Sequence, residues 1–216
     1  MAKLIKQIYD LISLATDKGI TGYHSDQQIM DVVDQTQMDL FRMLVREFAK
    51  TKQIRNELLP FQKRSSVTIT SKIGSLPGDF EHEIDCWATV QNVDQPIRII
   101  ESGMFRSRLN DPIDVPSTTN LFANIYFDGS KKIEVCAQVT PVVLNYFKRP
   151  VKPVYATTVT GGQLIYDDNN SVDVEFTPLV HGLLVERSLL LLGVNMRDGQ
   201  LQRVGASPIP KEATVA

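Results

Sequence analysis

The sequence predicts an α+β fold in which a small helical bundle, made of two N-terminal helices and one C-terminal helix, carries an all-β insertion. Three observations lead to this prediction. Apolar residues recur every three or four positions before Pro60, alternate with polar residues after Phe61, and become almost continuous after Pro178. The first pattern is typical of amphipathic helices, the second of strands, and the third of a helix that is covered on all sides.

We therefore predict four parts in the chain of 216 residues. The N-terminal helices occupy residues 1–63, and the β insertion occupies residues 64–177. The C-terminal helix, residues 178–197, returns to the bundle, because two amphipathic helices alone would bury little apolar surface. Residues 198–216 have no apolar period and contain several glycines and prolines, so we expect an extended tail there.

Two helices are predicted before Pro60. The first ends near Gly19, and its apolar face comprises Leu4, Ile8, Leu11, Ile12 and Ala15. The second begins at Ser25, because the sequence Ser-Asp-Gln-Gln is a capping box. In this motif the Ser25 hydroxyl accepts a hydrogen bond from a helical amide, and the Gln28 side chain reaches back to the Ser25 backbone. One face of this second helix stays apolar as far as Phe48.

The β insertion contains one clear hairpin. The alternation of apolar and polar residues begins at Val67 and continues through residues 84–90. Further along, residues 121–127 and 131–137 flank Asp128-Gly129. Asp-Gly favours the two-residue turn whose twist matches that of paired strands, so these segments are predicted to pair.

A second, weaker hairpin is predicted from Gln163–Tyr166 and residues 172–176, which flank the polar turn at residues 167–170. That turn has the composition of a calcium loop but lacks its glycine and its closing glutamate. Gly161-Gly162 precedes the hairpin, and no helix follows that could present amides to a phosphate. We interpret the glycine pair as a bend.

Composition and charge are those of an ordinary globular protein. Hydrophobic residues make up 43% of the chain and charged residues 22%, which disfavours disorder and disulfide scaffolds. The 23 basic and 25 acidic residues leave a formal charge of -2, so tight binding of nucleic acid has no electrostatic basis. The N-terminal apolar run is too broken for a signal peptide, and we expect a product that is cytoplasmic when made.

The sequence shows no catalytic or metal-binding constellation, and we predict a non-enzyme without a cofactor. His82 has acidic neighbours in the chain, but on a strand its side chain faces away from the residues beside it. Cys86 and Cys136 lack a nearby histidine, so we expect both thiols to be reduced and buried. A hydrolase whose distant residues converge in space is a less favoured alternative.

The C-terminal helix gives a reason to expect self-association. Its apolar residues, Leu183 and Leu190 among them, cover nearly the whole circumference, and two small helices cannot enclose such a helix. A neighbouring subunit would supply the remaining cover, and Leu190→Asp is expected to prevent folding or assembly. Glu186 and Arg187 are adjacent and cannot face each other, so they are either helix-edge charges or partners in an intersubunit ion pair. Together with His181 they argue against a membrane span.

Four segments stand out in chain order. They are residues 25–48 with Leu58-Leu59-Pro60-Phe61, the run Leu76-Pro77-Gly78-Asp79-Phe80, the run Leu144-Asn145-Tyr146-Phe147-Lys148-Arg149-Pro150, and the run Val174-Glu175-Phe176-Thr177-Pro178-Leu179-Val180-His181. With the order of helices, β insertion and returning helix, this layout resembles the adaptor, or ring, proteins beneath the portal of tailed bacteriophages. The resemblance is to the tail accessory family of short-tailed phages in particular, and it covers most of the chain.

The resemblance implies a structural virion protein that forms a closed homo-oligomeric ring, usually twelvefold, around the channel through which DNA passes as cargo. It implies no catalytic machinery. In similar proteins the carboxyl-terminal segment docks on the portal, or here on an adjacent ring, and the apolar anchors of that segment would be Leu201, Val204 and Ile209. The β region would meet the next tail component. Its insertion is larger than in the smallest adaptors, which leaves open whether the chain contacts the portal or belongs to a lower ring.

The chief alternative is a β-sandwich binding module for glycan or protein, carried on a helical hairpin. Aromatic side chains exposed on one sheet face would favour it, because such side chains form flat recognition surfaces. Trp87, the single tryptophan, is its best candidate residue.

Overall fold

The computed structural model describes residues 4–17, 25–111 and 115–192. These residues form an α+β fold, which confirms the predicted fold class. The helices are α1 (Leu4–Asp17), α2 (Asp26–Arg46), α3 (Lys52–Leu58), α4 (Ser102–Leu109) and α5 (Pro178–Leu191), with a 3₁₀ turn at Leu59–Phe61. The strands are β1 (Gln62–Val67), β2 (Ile73–Ser75), β3 (Phe80–Val90), β4 (Val93–Ile99), β5 (Leu121–Asp128), β6 (Ser130–Val135), β7 (Val142–Lys148), β8 (Thr157–Thr160) and β9 (Gln163–Tyr166).

The chain divides into two compact units. The β unit is Phe61–Arg149 and contains α4 and β1 to β7. The helical unit comprises the described residues before Phe61 and after Arg149, and it contains the other helices and the β8–β9 hairpin. The sequence prediction carried the β insertion to residue 177, whereas the structure groups residues 150–177 with the helices.

The start of α2 is the capping box predicted from the sequence. Ser25 has extended backbone angles, its hydroxyl accepts a hydrogen bond from the Gln28 amide at 3.3 Å, and its own amide donates to Gln28 Oε1 at 3.0 Å. These two bonds satisfy amides that the first helical turn leaves without partners. The helix ends at Arg46, two residues before Phe48, the last residue of the apolar face seen in the sequence.

In the helical unit, α5 packs against α1 and α2 through one face. Leu184 and Leu189 are fully buried there. Ser188 is also fully buried, and its hydroxyl donates to Thr36 Oγ1 at 3.2 Å. Thr36 in turn donates to the Val32 carbonyl at 2.8 Å, so this buried polar pair is satisfied within the helices.

Residues 150–177 fold against the helices through side chains that bond backbone groups. Asp173 accepts hydrogen bonds from the Leu4 and Ile5 amides, at 3.1 and 2.7 Å, and thereby caps α1. Gln37, fully buried on α2, donates to the Val151 carbonyl at 2.9 Å. Such contacts between residues distant in sequence explain why this segment belongs to the helical unit.

The second predicted hairpin has a different pairing in the structure. Gln163–Tyr166 pairs with Thr157–Thr160 instead of residues 172–176, so that prediction was wrong. Gly161 and Gly162, with φ of +63° and +81°, form the connecting turn, because two positive φ values give a two-residue turn that pairs strands closely. The Asp167 carboxylate accepts hydrogen bonds from the backbone amides of Asn169 and Asn170. After this turn, Val172 forms an isolated bridge with Val154.

The β unit is built on one seven-stranded sheet in the order β1-β7-β3-β4-β5-β6-β2. The predicted hairpin at Asp128-Gly129 is present as β5 and β6, and Gly129 has φ of +65°. Neighbouring strands are antiparallel except β4 and β5, and the connection between these parallel strands contains α4.

The helix α4 was not predicted from the sequence. In this helix only Phe105 is buried, where its ring lies edge-on to Phe122 with centroids 5.5 Å apart. Because this helix has a single buried apolar residue, its sequence lacks the apolar repeat of three or four positions that predicts a helix.

The sheet is strongly curved, because its two edge strands are neighbours in sequence. Six strand spacings of about 4.8 Å would separate the edges of a flat sheet by roughly 29 Å. The chain from Val67 to Ile73 spans at most about 21 Å when fully extended, and it contains a turn with positive φ at Ser71 and Lys72. A bridge between Thr70 and Ile73 closes this turn, and the interior holds an apolar core.

Asp79 is the acceptor in a small polar network of the β unit. Its carboxylate lies 2.6 Å from Lys63 Nζ and accepts a hydrogen bond from the Tyr146 hydroxyl at 2.8 Å. The hydrogen bond from Lys63 holds the pKa of Asp79 below its ordinary value. Burial and the Asp79 carboxylate raise the pKa of Tyr146 to about 12.

We expect Asp79→Asn to lower the free energy of unfolding by about 1 kcal/mol at pH 7, since it weakens bonds to a partly exposed carboxylate. A carboxyl group whose folded pKa is lowered stabilises the fold above its unfolded pKa, and this contribution is lost as pH falls through the folded pKa. The variant should therefore lose less stability than the wild type between pH 5 and pH 2. Urea midpoints at several pH values measure this. Asp128→Asn, at the exposed pair with Lys132, is the control and should lower the free energy of unfolding by less. Equal losses in the two variants would show that the Asp79 network stabilises the fold no more than an exposed ion pair.

Asp173→Ala should destabilise the helical unit by about 1 kcal/mol, because it leaves two amides of α1 without their acceptor. Asp173→Asn keeps an oxygen acceptor and should cost less. Hydrogen exchange of the Leu4 and Ile5 amides reports the cap directly. Unchanged protection of these amides in the alanine variant would show that Asp173 does not hold the start of α1.

Candidate interaction surfaces

The α5 stripe, which we define as Leu179, Leu183, Glu186 and Leu190, is an apolar strip on the outer face of the last helix. Its members follow one another at intervals of four, three and four residues, which places them on one side of a helix that turns by about 100° per residue. Leu179 is 70% exposed and Leu190 is 58% exposed, while the other two are half-buried. The opposite face of α5 is buried against α1 and α2.

Three of the residues predicted to form an oligomer interface, Leu183, Glu186 and Leu190, therefore share one face. Arg187 lies beside them, half-buried, with its guanidinium 3.5 Å from the Met43 sulfur on α2. Within the described ranges neither Glu186 nor Arg187 has an oppositely charged group within 4.0 Å. The expectation that this helix is buried on all sides is not met inside one chain, and the interface role of the four residues stays a prediction.

The predicted docking residues Leu201, Val204 and Ile209 lie outside the described part of the chain. Their roles therefore rest on the sequence alone.

The β8–β9 hairpin is a second uncovered surface, which the sequence analysis missed. Every residue of its two strands is exposed except Tyr166, which is half-buried. Val159 and Leu164 lie directly opposite each other and are 72% and 70% exposed. Residues 156–166 contain no charged side chain. Two adjacent glycines between the short runs Thr157–Thr160 and Gln163–Tyr166 were the signal that would have predicted this pairing.

Three tyrosines fix the base of this hairpin. Tyr155 stacks on Tyr9 of α1, with ring centroids 3.9 Å apart, and lies 5.0 Å from the ring of Tyr166. The Tyr9 hydroxyl donates to Asp26 at the start of α2, and burial together with that bond raises the pKa of Tyr9 to about 12. The tyrosine cluster thus joins the hairpin to two helices, so the strands have a defined position although their side chains are exposed.

A groove of about 660 Å³ lies on the β unit. Its apolar lining includes Ile99, Ile100, Ile125, Tyr126 and Phe127, and its carboxylates are Glu81, Glu83 and Glu101. Lys131 pairs with Glu81 at 3.3 Å and also donates to the Phe80 carbonyl, so the rim keeps an excess of negative charge. Asn124, 6% exposed, lines the groove and accepts a hydrogen bond from Ser102 at 3.0 Å. Such a lining fits a segment with apolar and basic side chains.

Trp87 does not offer an open ring face of the kind that sugar binding requires. The Arg64 guanidinium lies over the indole at 4.9 Å, which is a cation–π contact, and the side chain is half-buried. The strands form one curved sheet, and two stacked sheets of a sandwich are not seen in the described β unit.

The candidate groups for chemistry are dispersed. No cluster of three or more metal-ligating side chains occurs among the described residues. His82 Nδ1 lies 2.7 Å from the Glu83 carbonyl, and His181 Nε2 lies 2.9 Å from the Phe176 carbonyl. Burial lowers the pKa of His181. Cys86 and Cys136 are free, buried thiols, and burial raises the pKa of Cys86 to about 12. Neither thiol is activated as a nucleophile.

No helix in the described ranges combines the length and the apolar character that crossing a membrane requires.

No family model matches this chain. No curated protein matches it significantly either. The resemblance to phage adaptor proteins therefore rests on the sequence landmarks given above, and the interaction surfaces rest on their own geometry.

We expect the two native thiols to be inert in the folded protein. A pKa of about 12 in place of 9.0 leaves Cys86 with on the order of a thousandfold less thiolate at pH 8. Alkylation by iodoacetamide, followed by mass spectrometry, should be slow before urea is added and fast afterwards. Ser130→Cys, on an exposed turn residue, serves as the reactive control. Rapid alkylation of native Cys86 would show that the core of the β unit opens readily.

Proposed function

We propose that this protein is a structural component of a phage particle that forms a ring at the head-to-tail junction and links portal and tail around the DNA channel. The observation that carries the proposal is the α5 stripe. Large apolar side chains that recur on one exposed helix face are buried in a functional assembly far more often than they are left in water.

The spacing of the stripe favours a protein partner. Intervals of four, three and four residues are those of a helix seam that packs against another element. From Leu179 to Leu190 the stripe runs about 16 Å along the helix, and Leu190 is followed by Leu191, which is 54% exposed. A strip of this length exceeds the scattered single leucines that are ordinary on protein surfaces.

The place of the ring in a phage particle comes from the sequence resemblance. In similar proteins a closed ring, usually twelvefold, surrounds the channel, and the carboxyl-terminal segment docks on the portal or an adjacent ring. Leu201, Val204 and Ile209 are the anchors proposed for that docking. The formal charge of -2 supports the proposal, since a strongly basic channel wall would retain DNA that must pass through. Such a protein has no catalytic role, needs no cofactor and resides in the virion.

A second candidate function is a β-domain module that binds another protein. The groove beside Ile99 and Tyr126 favours it, because the groove combines an apolar floor with unneutralised carboxylates. A protein of this kind would work as a monomer, so the mass of the native protein separates the two candidates. Within a ring, the same groove would be available to the next tail component.

We expect the purified protein to form a large closed oligomer, on the order of twelve copies of the 24.2 kDa subunit. Leu190→Asp should give a folded monomer, since the side chain is exposed in one chain but would carry a charge into the contact. Native mass spectrometry gives the mass, and circular dichroism checks the fold. Val93→Asp, at an exposed turn of the β unit, is the control and should still assemble. A monomeric wild-type protein at micromolar concentration would rule out the ring.

A further inference from the structure

Two uncovered apolar surfaces, the β8–β9 hairpin and the α5 stripe, lie on the same helical unit. They do not cover each other within one chain, because Val159, Leu164, Leu179 and Leu190 are all more than half exposed. Each copy of the protein therefore carries one of each surface.

The hairpin needs a partner for physical reasons. An isolated two-stranded hairpin is only marginally stable in water, and this one buries neither face. Its register is nevertheless fixed at both ends, by the Gly161-Gly162 turn at the tip and by the tyrosine cluster at the base. Because its register is already set, this uncharged element loses less conformational entropy on docking than an unstructured segment would.

We propose that the hairpin of one copy docks on the α5 stripe of a second copy, through the face that carries Val159 and Leu164. The inference rests on the proposed function, because it assigns the contact that joins neighbouring subunits of the ring. The hairpin is the arm of this contact, and the α5 stripe is its receiver.

The two surfaces match in chemistry. The arm contains no charged side chain, and the receiver contains one charge, Glu186, for which the described chain supplies no ionic partner. A carboxylate that is buried in an apolar contact needs hydrogen-bond donors, because its burial without them is costly. Thr157 lies on the same face of the hairpin as Val159 and offers its hydroxyl as such a donor.

The two surfaces also match in size. Thr157 and Val159 are about 6.8 Å apart along the strand, and Glu186 and Leu190 are about 6.0 Å apart along the helix. With Val159 over Leu190, Thr157 therefore lies over Glu186. The second strand places Leu164 beside Val159, so the apolar pair covers Leu190, which is 58% exposed in one chain.

The symmetry of the contact separates this arrangement from its main rival. Arm and receiver are different surfaces, so their contact is head-to-tail, and repetition of such a contact closes into a ring when the rotation allows it. A contact between two α5 stripes would instead use one surface twice and would end at a dimer. The proposed ring therefore favours the contact between arm and receiver.

Two variants and their mixture test the contact. Leu164→Asp disables the arm and leaves the receiver intact, whereas Leu190→Asp disables the receiver and leaves the arm intact. Each variant alone should lose the ring and remain monomeric in native mass spectrometry. An equal mixture should give dimers and nothing larger. The intact arm of Leu190→Asp can dock on the intact receiver of Leu164→Asp, and no second contact is then possible. Ile165→Asp, on the opposite face of the hairpin, is the matched control and should keep the ring.

The outcomes separate the two proposals. If the wild type forms a ring, and Leu164→Asp also forms it, or the mixture stays monomeric, the assignment of the arm is wrong while the ring stands. If the wild type is monomeric, the ring is wrong, and disulfide cross-linking then decides the contact. The variant that combines Val159→Cys with Leu190→Cys should form a ladder of linked oligomers when oxidised at high concentration, since the native thiols are buried. Absence of the ladder would overturn the contact itself.

Discussion

The helical unit depends on the burial of one face of α5. Leu184 and Leu189 fill the space between α1 and α2, and the bonded pair of Ser188 and Thr36 fixes the depth at which the helix lies. This buried pair resists sliding, because a shift of α5 would take the Ser188 hydroxyl away from its acceptor, Thr36 Oγ1. The orientation of the opposite face of α5 is set by the same contacts. The outer leucines are therefore held in a defined position by the inner ones.

The segment that follows the β unit is held by a small number of polar contacts to helices that precede it in the chain. Asp173 caps α1, and Gln37 bonds the backbone at Val151. Tyr9 and Tyr155 stack at the base of the hairpin. Together with the buried side chains of Val174 and Phe176, these contacts make residues 150–177 part of the helical unit and position the β8–β9 hairpin.

The sequence was informative where the structure is determined locally. The capping box at Ser25 and the Asp-Gly turn depend on residues a few positions apart, and both were found in the structure. Prediction failed where distant contacts decide the outcome. The helix at Ser102–Leu109 has a single buried residue, and the pairing of Gln163–Tyr166 followed a glycine turn that was interpreted as a bend. Leu183, Glu186 and Leu190 were proposed because apolar residues surround this helix in sequence, but the outer face that they share depends on how α5 packs.

The two edge strands of the sheet are connected by a short turn that the bridge between Thr70 and Ile73 closes. The nature of these edges determines how readily copies of the protein pair through their sheets at high protein concentration. Unpaired strand edges are templates that any extended chain can join, with little regard to sequence. Here the strand at one edge has only three residues, and the other carries Lys63 and Arg64. The β unit thus offers few backbone groups for promiscuous pairing. Copies of the β unit should therefore pair little through their sheets at high protein concentration, and contacts with this unit depend mainly on side chains.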